Sequence, residues 1–259
     1  MTSVASGDVG GVGGSSSERL RVDRLSKWFG GLQVFNELSF DVGRGEVIGV
    51  IGPNGAGKTT LINVMCGMLV PTSGQVLLGA RGITGKAFHT ISRLGVVRSF
   101  QQTNTFRTAS VRENLSRATR FGRTDGRDDD VGLTELLEEF QLASCLDEQS
   151  DKLPYGLQKM LGLMLAYATR PKFLLLDEPA AGLERRERTN IDRLVHFAQV
   201  KLGCGVLVVE HDMDLIRRLC PRILVLEAGN VLAHGAPAEV LARKEVIDAY
   251  IGATDDEPC

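Results

Sequence analysis

At 259 residues the chain has room for one large domain or two small ones, and it is long enough to bury a core of its own. Its 43% hydrophobic and 24% charged residues are an ordinary globular mix. Lysine and arginine number 30 against 32 aspartates and glutamates, a formal charge of −2, which argues against a chain-wide basic footprint for nucleic acid. No apolar run approaches the roughly 18 residues that a bilayer span needs. The longest, Met160 to Ala168, contains a glycine and is stopped by Thr169-Arg170-Pro171. Cys66, Cys145, Cys204, Cys220 and Cys259 are odd in number, scattered and without a CxxC pair. Buried, reduced thiols in a cytosolic setting are expected rather than disulfides or a zinc site.

Residues 1–17 hold five of the 30 glycines and have neither a basic start nor an apolar middle. They read as a flexible tail rather than a secretory signal, and the folded domain is expected over 18–252, with 253–259 as a second tail. Leu20 to Leu25 alternates like a half-buried strand, and Gln33 to Val42 does the same. A turn at Gly43-Arg44-Gly45 leads into Val47 to Ile51, a β-branched apolar run typical of a strand buried on both faces. Phe173 to Leu176, Val206 to Val209 and Ile223 to Leu226 repeat that pattern. Helical stretches are expected at Thr59–Cys66, Lys159–Ala168, Arg186–Leu202 and Asp212–Leu219. Buried strands alternating with helices make an α/β domain with a largely parallel sheet. Between about Thr103 and Lys152 the pattern changes. Arg123 to Asp130 is polar and charged, a solvated loop, and Leu133, Leu136, Leu137 and Phe140 recur at helical spacing. This region is expected to be a small helical insertion. No repeat of solenoid or propeller period is present.

The strongest chemical signal begins where the first buried strand ends: Gly52-Pro53-Asn54-Gly55-Ala56-Gly57-Lys58-Thr59-Thr60. This is G-x-x-x-x-G-K-[ST] in its required context, after a strand and opening a helix. Glycines let consecutive backbone N–H groups face phosphate oxygens at a helix N-terminus. Lys58 supplies a point charge toward the β- and γ-phosphates, and the Thr59 hydroxyl is placed to ligate Mg²⁺. The second signal is Phe173-Leu174-Leu175-Leu176-Asp177-Glu178-Pro179. A strand ending in two acids puts carboxylates at the sheet edge where open α/β sheets bind ligands. Asp177 suits the shell of Mg²⁺, and Glu178 suits a general base acting on an attacking water.

With these motifs in place the chain resembles the nucleotide-binding subunits of ATP-binding-cassette (ABC) transporters, from about Leu20 to Gly252. The resemblance implies a P-loop NTPase of the ABC ATPase fold, with a RecA-like core, an N-terminal antiparallel β-subdomain and a helical subdomain inserted at about 103–155. It implies ATP and Mg²⁺ as ligands. In the family an aromatic upstream of the phosphate loop stacks on adenine. Trp28 and Phe29 are adjacent candidates, and register favours Phe29. Gln101 falls where the family places a glutamine that touches Mg²⁺ or water, with Gln102 as the neighbouring choice. His211, at the end of another buried strand, falls where a histidine reaches the γ-phosphate and orients water. His89, His196 and His234 have no such strand-end context and read as ordinary residues.

The segment Leu153-Pro154-Tyr155-Gly156-Leu157-Gln158 occupies the place of the family signature Leu-Ser-Gly-Gly-Gln, 24 residues before Asp177. The resemblance implies that Pro154, Tyr155 and Gly156, at a helix N-terminus, clamp the γ-phosphate held by a second subunit. Proline for serine removes a hydroxyl donor, and Tyr155 and Leu157 replace a glycine and the glutamine. Pro179-Ala180-Ala181-Gly182-Leu183-Glu184 stands in the loop that crosses the dimer interface, with Glu184 where aspartate is usual.

Several phrases are similar to one branch, the ATPases of branched-chain (hydrophobic) amino acid importers. They are Lys27-Trp-Phe-Gly-Gly-Leu32, Gly95-Val-Val-Arg-Ser-Phe-Gln101, Leu153-Pro-Tyr-Gly156, Asp177-Glu-Pro-Ala-Ala-Gly-Leu183, Glu210-His-Asp-Met213 and Val246-Ile-Asp-Ala-Tyr-Ile-Gly252. The implied partners are a second ATPase subunit, the same or a close relative, integral-membrane permease subunits and, indirectly, a solute-binding protein, with no nucleic acid. The implied location is peripheral, at the cytoplasmic face of the cell membrane. Amide, urea or lipid systems are neighbouring readings. A soluble cassette ATPase of ribosomes or DNA, or a regulatory module that holds ATP without hydrolysing it, are readings of another class.

Overall fold

The computed structural model describes residues 18–99, 105–122 and 132–251. Two long alternating strands, β1 (Arg19–Phe29) and β2 (Leu32–Gly43), form an antiparallel hairpin that buries Leu20, Val22, Leu25, Phe35 and Leu38 on one face. The tight turn at Gly45 delivers the chain into β3 (Val47–Ile51), all five residues of which are buried. Helix α1 (Lys58–Met65) follows. Strands β4 (Ser73–Leu78) and β5 (Arg81–Gly82) return to the hairpin and complete a four-stranded antiparallel sheet, in the order β2-β1-β4-β5.

Helix α2 (Phe88–Arg93) leads to β6 (Val96–Ser99). Before the next strand the chain makes α3 (Val111–Gly122) and α4 (Leu133–Glu139), which fall in the stretch expected as a helical insertion, and then α5 (Tyr155–Ala168). Strand β7 (Phe173–Asp177) is followed by α6 (Thr189–Leu202), β8 (Gly205–Val209), α7 (Met213–Leu219), β9 (Arg222–Glu227) and β10 (Asn230–Gly235). Helices α8 (Pro237–Val240) and α9 (Lys244–Ile251) end the described chain.

The central sheet has the order β10-β9-β3-β8-β7-β6. Five strands run parallel and β10 is antiparallel at the edge. Its two faces feed two cores. Ile48, Val50, Leu175, Leu207 and Leu224 pack with α1 and the antiparallel sheet. Val47, Ile51, Leu174, Val208 and Ile223 pack with α5, α6 and α7. Coverage on both faces is why these strands read as unbroken apolar runs instead of alternating ones. Cys66, Cys204 and Cys220 are buried in these cores with free thiols, and Cys145 is half-buried.

Helix α5 begins at Tyr155, four residues before the expected start. Pro154 at its N-cap has φ −52° and ψ 149°, and a proline with that geometry ends the extended loop and lets the helix begin at once. Helix α6 begins at Thr189, three residues later than expected, because Glu184 to Arg188 forms turns. Strand β4 has no sequence signature: Ser73, Gly74 and Gln75 are exposed and only Val76 to Leu78 are buried.

Asp212, one residue before α7, is its N-cap. Its Oδ1 accepts from the N–H groups of Asp214 at 3.0 Å and Leu215 at 3.1 Å, and its Oδ2 accepts from Arg188 Nη1 at 2.5 Å. Burial alone would raise this carboxyl. The N–H bonds and the Arg188 guanidinium outweigh it and hold the group below its ordinary value. A depressed carboxyl contributes stability that is present above its unfolded value of about 4 and lost as pH falls through the folded one. Asp212→Ala is therefore expected to cost about 1 kcal/mol near neutral pH, and the penalty should shrink below pH of about 4. Urea midpoints of the two proteins across that range check it.

Candidate active site

Register is what assembles the site. Val50 of β3 lies beside Val209 of β8, which lies beside Asp177 of β7. Three parallel strands thus end level, and the segments that leave them share one edge. These are Gly52 to Thr60, Glu178 to Glu184, and Glu210-His211. On the far side of β7, Ser99 of β6 pairs with Leu176, so the chain leaves β6 at that edge too. Gln101 and Gln102 come next and lie outside the described residues.

Glycine is required in the phosphate loop for two distinct reasons. Gly52 has φ 152°, and a Cβ there would sit 2.1 Å from the Leu226 carbonyl oxygen. Gly57 is the left-handed N-cap of α1 at φ 90°, with Val34 Cγ1 2.9 Å from where a Cβ would be. Helix α1 has no side-chain cap and no acid in its first turn. Its first N–H groups are left for a ligand, as an anion site demands. Lys58 Nζ donates to the Gly52 carbonyl at 2.7 Å and to that of Pro53 at 2.8 Å, so the ammonium is folded into the loop. Burial lowers the Lys58 value, opposed by the charges of Glu178 and Asp177.

Asp177 is 1% exposed. The Thr59 hydroxyl lies 3.4 Å from its Oδ1, and Arg98 Nη2 donates to its Oδ2 at 2.7 Å. Burial raises the carboxyl of Asp177, and the adjacent guanidinium works against it. A carboxylate oxygen and a hydroxyl side by side are hard donors of the kind Mg²⁺ prefers. Among the described residues no three His, Cys, Asp or Glu side chains cluster as a metal cage. A cation between Thr59 and Asp177 would complete its shell with phosphate and water, the usual habit of Mg²⁺.

Glu178 is half-buried and its backbone sits at φ 47°, in the left-handed region that costs a non-glycine residue about 1–3 kcal/mol. Its N–H donates to the Val209 carbonyl at 2.9 Å. The His211 side chain is 66% exposed, and its Nδ1 is 3.8 Å from Glu210 Oε2. Glu210 is buried at 1% exposure and its carboxylate gathers three N–H groups: Ala180 at 2.7 Å, His211 at 3.0 Å and Asp212 at 3.3 Å. It thereby ties the loop after β7 to the loop after β8.

The two aromatics end β1 at the open side of the antiparallel sheet, with Trp28 41% and Phe29 47% exposed. Lys27 Nζ lies 4.7 Å over the Phe29 ring. Sequence reasoning passed over Val34, which the fold sets against Gly57 of the phosphate loop.

The segment Pro154 to Gly156 opens α5, which again lacks a side-chain cap and an acid in its first turn. Among the described residues no hydrogen bond joins it to Gly52–Thr60. Its contacts run to the loop after β7. The Tyr155 ring lies where a Cβ on Gly182 would be, 2.8 Å at Cε1, and the Glu187 carboxylate abuts Gly156. Glu184 is exposed, and its N–H donates to Glu187 Oε2 at 2.8 Å.

Arg98, Lys159 and Glu210 were given no role at the site in the sequence reading. Each is a charge inside or against an apolar stretch: Arg98 in β6, Lys159 on the buried side of α5, Glu210 just after β8. A charge where the pattern calls for an apolar residue is the one sequence signal that could have drawn notice to them, though it says nothing of what they bond.

A family model described as ABC transporter matches residues 35–181, more than half of the chain. The high-affinity branched-chain amino acid transport ATP-binding protein LivG of Salmonella typhimurium is 36% identical over 253 residues, spanning 92% of this chain and 99% of that protein. The corresponding protein BraF of Pseudomonas aeruginosa is 35% identical over 248 residues, spanning 90% and 97%. Among solved structures, the ADP conformation of MJ1267, an ATP-binding cassette of an ABC transporter, matches with a TM-score of 0.77 at 28% identity, covering 92% of this chain and all of that one. The level strand ends, the phosphate loop and the paired acids are thus those of a known class, and the chain belongs to the ABC transporter family, among its ATP-hydrolysing cassettes.

Proposed function

We propose that this chain is the ATPase subunit of an importer for branched-chain amino acids, working in a pair with a second copy or a close relative. The observation that carries the hydrolytic part is the convergence of Lys58, Thr59, Asp177 and Glu178 at one sheet edge. The solute rests on the LivG and BraF likeness.

In this reading the N–H groups of Gly55 to Thr60 and the Lys58 ammonium bind the β- and γ-phosphates, and Phe29 or Trp28 stacks on adenine. Thr59, Asp177 and Gln101 would hold Mg²⁺, which when bound neutralises charge on the phosphate oxygens. Glu178 accepts a proton from water as the water oxygen bonds to the γ-phosphorus. The bond from that phosphorus to the β–γ bridging oxygen breaks, leaving ADP and phosphate. His211 orients the γ-phosphate and the water. Pro154, Tyr155 and Gly156 serve the nucleotide of the partner subunit through the uncapped N-terminus of α5.

No helix among the described residues is long and apolar enough to cross a membrane. Solute passage would belong to permease subunits, with a solute-binding protein delivering cargo, and this chain would sit at the cytoplasmic face of the membrane. The docking place for a helical segment of a permease is an apolar groove between α3, α5 and β6. Phe106 (58% exposed) and Phe121 (42% exposed) rim it with Leu165 and Val97, and Arg117 stands 4.4 Å from the Phe106 ring. Exposed aromatics gathered in a groove are the usual mark of helix-in-groove binding.

Glu178→Gln is expected to lower steady-state phosphate release by about 10²–10⁴ while ATP binding persists, and equal rates in the two proteins would overturn the hydrolytic assignment. A mild-detergent pull-down from native membranes should bring integral-membrane subunits with the chain. Recovery without any permease would tell against the transport assignment.

A further inference from the structure

Two buried charges of opposite sign grip the loop that carries Glu178. From one side, Lys159 of α5, 5% exposed, donates from Nζ to the Glu178 carbonyl at 3.1 Å and to the Ala181 carbonyl at 2.6 Å. From the other, Glu210 Oε1 takes the Ala180 N–H at 2.7 Å. The loop closes on itself where the Ala181 N–H donates to the Glu178 carbonyl at 3.2 Å. The Glu178 N–H is taken by Val209. Both backbone groups of Glu178 are therefore fixed from outside, which is how a strained left-handed residue is kept in place.

Lys159 stands one helical turn after Tyr155, and the Tyr155 ring packs on Gly182 of the same loop. The N-terminal half of α5 thus touches the loop at Glu178, Ala181 and Gly182. Keeping an ammonium buried there has a cost. Burial lowers the Lys159 value, and the charges of Glu210 and Glu178 offset part of that. An apolar residue would fit a buried helix face without this penalty. The reach of Nζ to two loop carbonyls is what the lysine adds.

We infer that Lys159 is a positioning residue for Glu178: it holds the glutamate backbone from the signature helix, so that the setting of this subunit's base follows the seating of the helix that serves the partner's nucleotide. The inference rests on the proposed ATPase reading. It gives the Tyr155 departure from the family signature a purpose, since a tyrosine facing Gly182 and a lysine one turn on dock the helix on the loop together. It also makes the two nucleotide sites of a dimer mechanically dependent through one side chain.

The test compares wild type, Lys159→Met, Lys159→Gln and Lys159→Arg as full-length purified chains with Mg-ATP. Phosphate release, affinity for a fluorescent ATP analogue, the Hill coefficient for ATP and the melting temperature are all read. Lys159→Met should lower kcat about tenfold to a hundredfold, the scale of a base misplaced by about an ångström, with analogue affinity within about twofold. The Hill coefficient should fall toward one, and arginine should restore most of kcat. A methionine variant with kcat within about twofold of wild type overturns the inference. So does a loss of kcat matched by equal loss of affinity and melting temperature, which is a structural role only. Should the methionine variant not fold, Lys159→Gln, which keeps a donor but is shorter, must show the same split, and wild-type kcat in it overturns the inference equally. Absence of phosphate release in the wild type would instead fail the ATPase reading itself.

Discussion

Everything at the active edge depends on three strands ending at the same height. Val50, Val209 and Asp177 are paired across β3, β8 and β7, so the phosphate loop, the two acids and His211 are delivered side by side by backbone hydrogen bonds alone. A slip of one residue in any of these pairings would turn every side chain of that strand to the other face. Two separate cores, one on each side of the sheet, hold the register against that slip. The geometry of the candidate site is in this sense a by-product of apolar packing some distance from it.

Around that edge the protein buries charge, against the ordinary rule. Arg98 and Asp177 are a buried pair with side chains 6% and 0% exposed. Lys159 and Glu210 are buried on opposite sides of one loop. Removing one member of the Arg98–Asp177 pair would cost about 3–5 kcal/mol because the other charge would be stranded. Each of the four bonds a group on a neighbouring segment. They act as ties between elements. Asp212 works differently: it caps its own helix and pairs with the nearby Arg188, a local arrangement that could sit on many folds.

Much of this was legible in the residues. Val47–Ile51 was read with its observed bounds, because a strand covered on both faces leaves an unbroken apolar run. Phe173–Asp177 and Gly205–Val209 were read to within a residue for the same reason. The start of α5 was misplaced because Tyr155 and Gly156 carry weak helical preference and Pro154 decides the boundary. Strand β4 went unread because its first half is exposed and glycine-containing, and its pairing partner, β1, lies some fifty residues earlier. For the site, the phosphate loop and the acid pair were visible as local motifs. Lys159 and Glu210 were not, because their meaning lies in carbonyls and N–H groups of a loop that periodicity does not bring near them. Gln101 lies outside the described residues.

Arg98 joins two parts of the structure. Its guanidinium bonds Asp177, and the same residue lines the apolar groove between α3, α5 and β6. The floor of the groove and the carboxylate beside Thr59 are therefore separated by a single side chain. A small molecule lodged in that groove would press on the charge balance of Asp177 without approaching the phosphate loop.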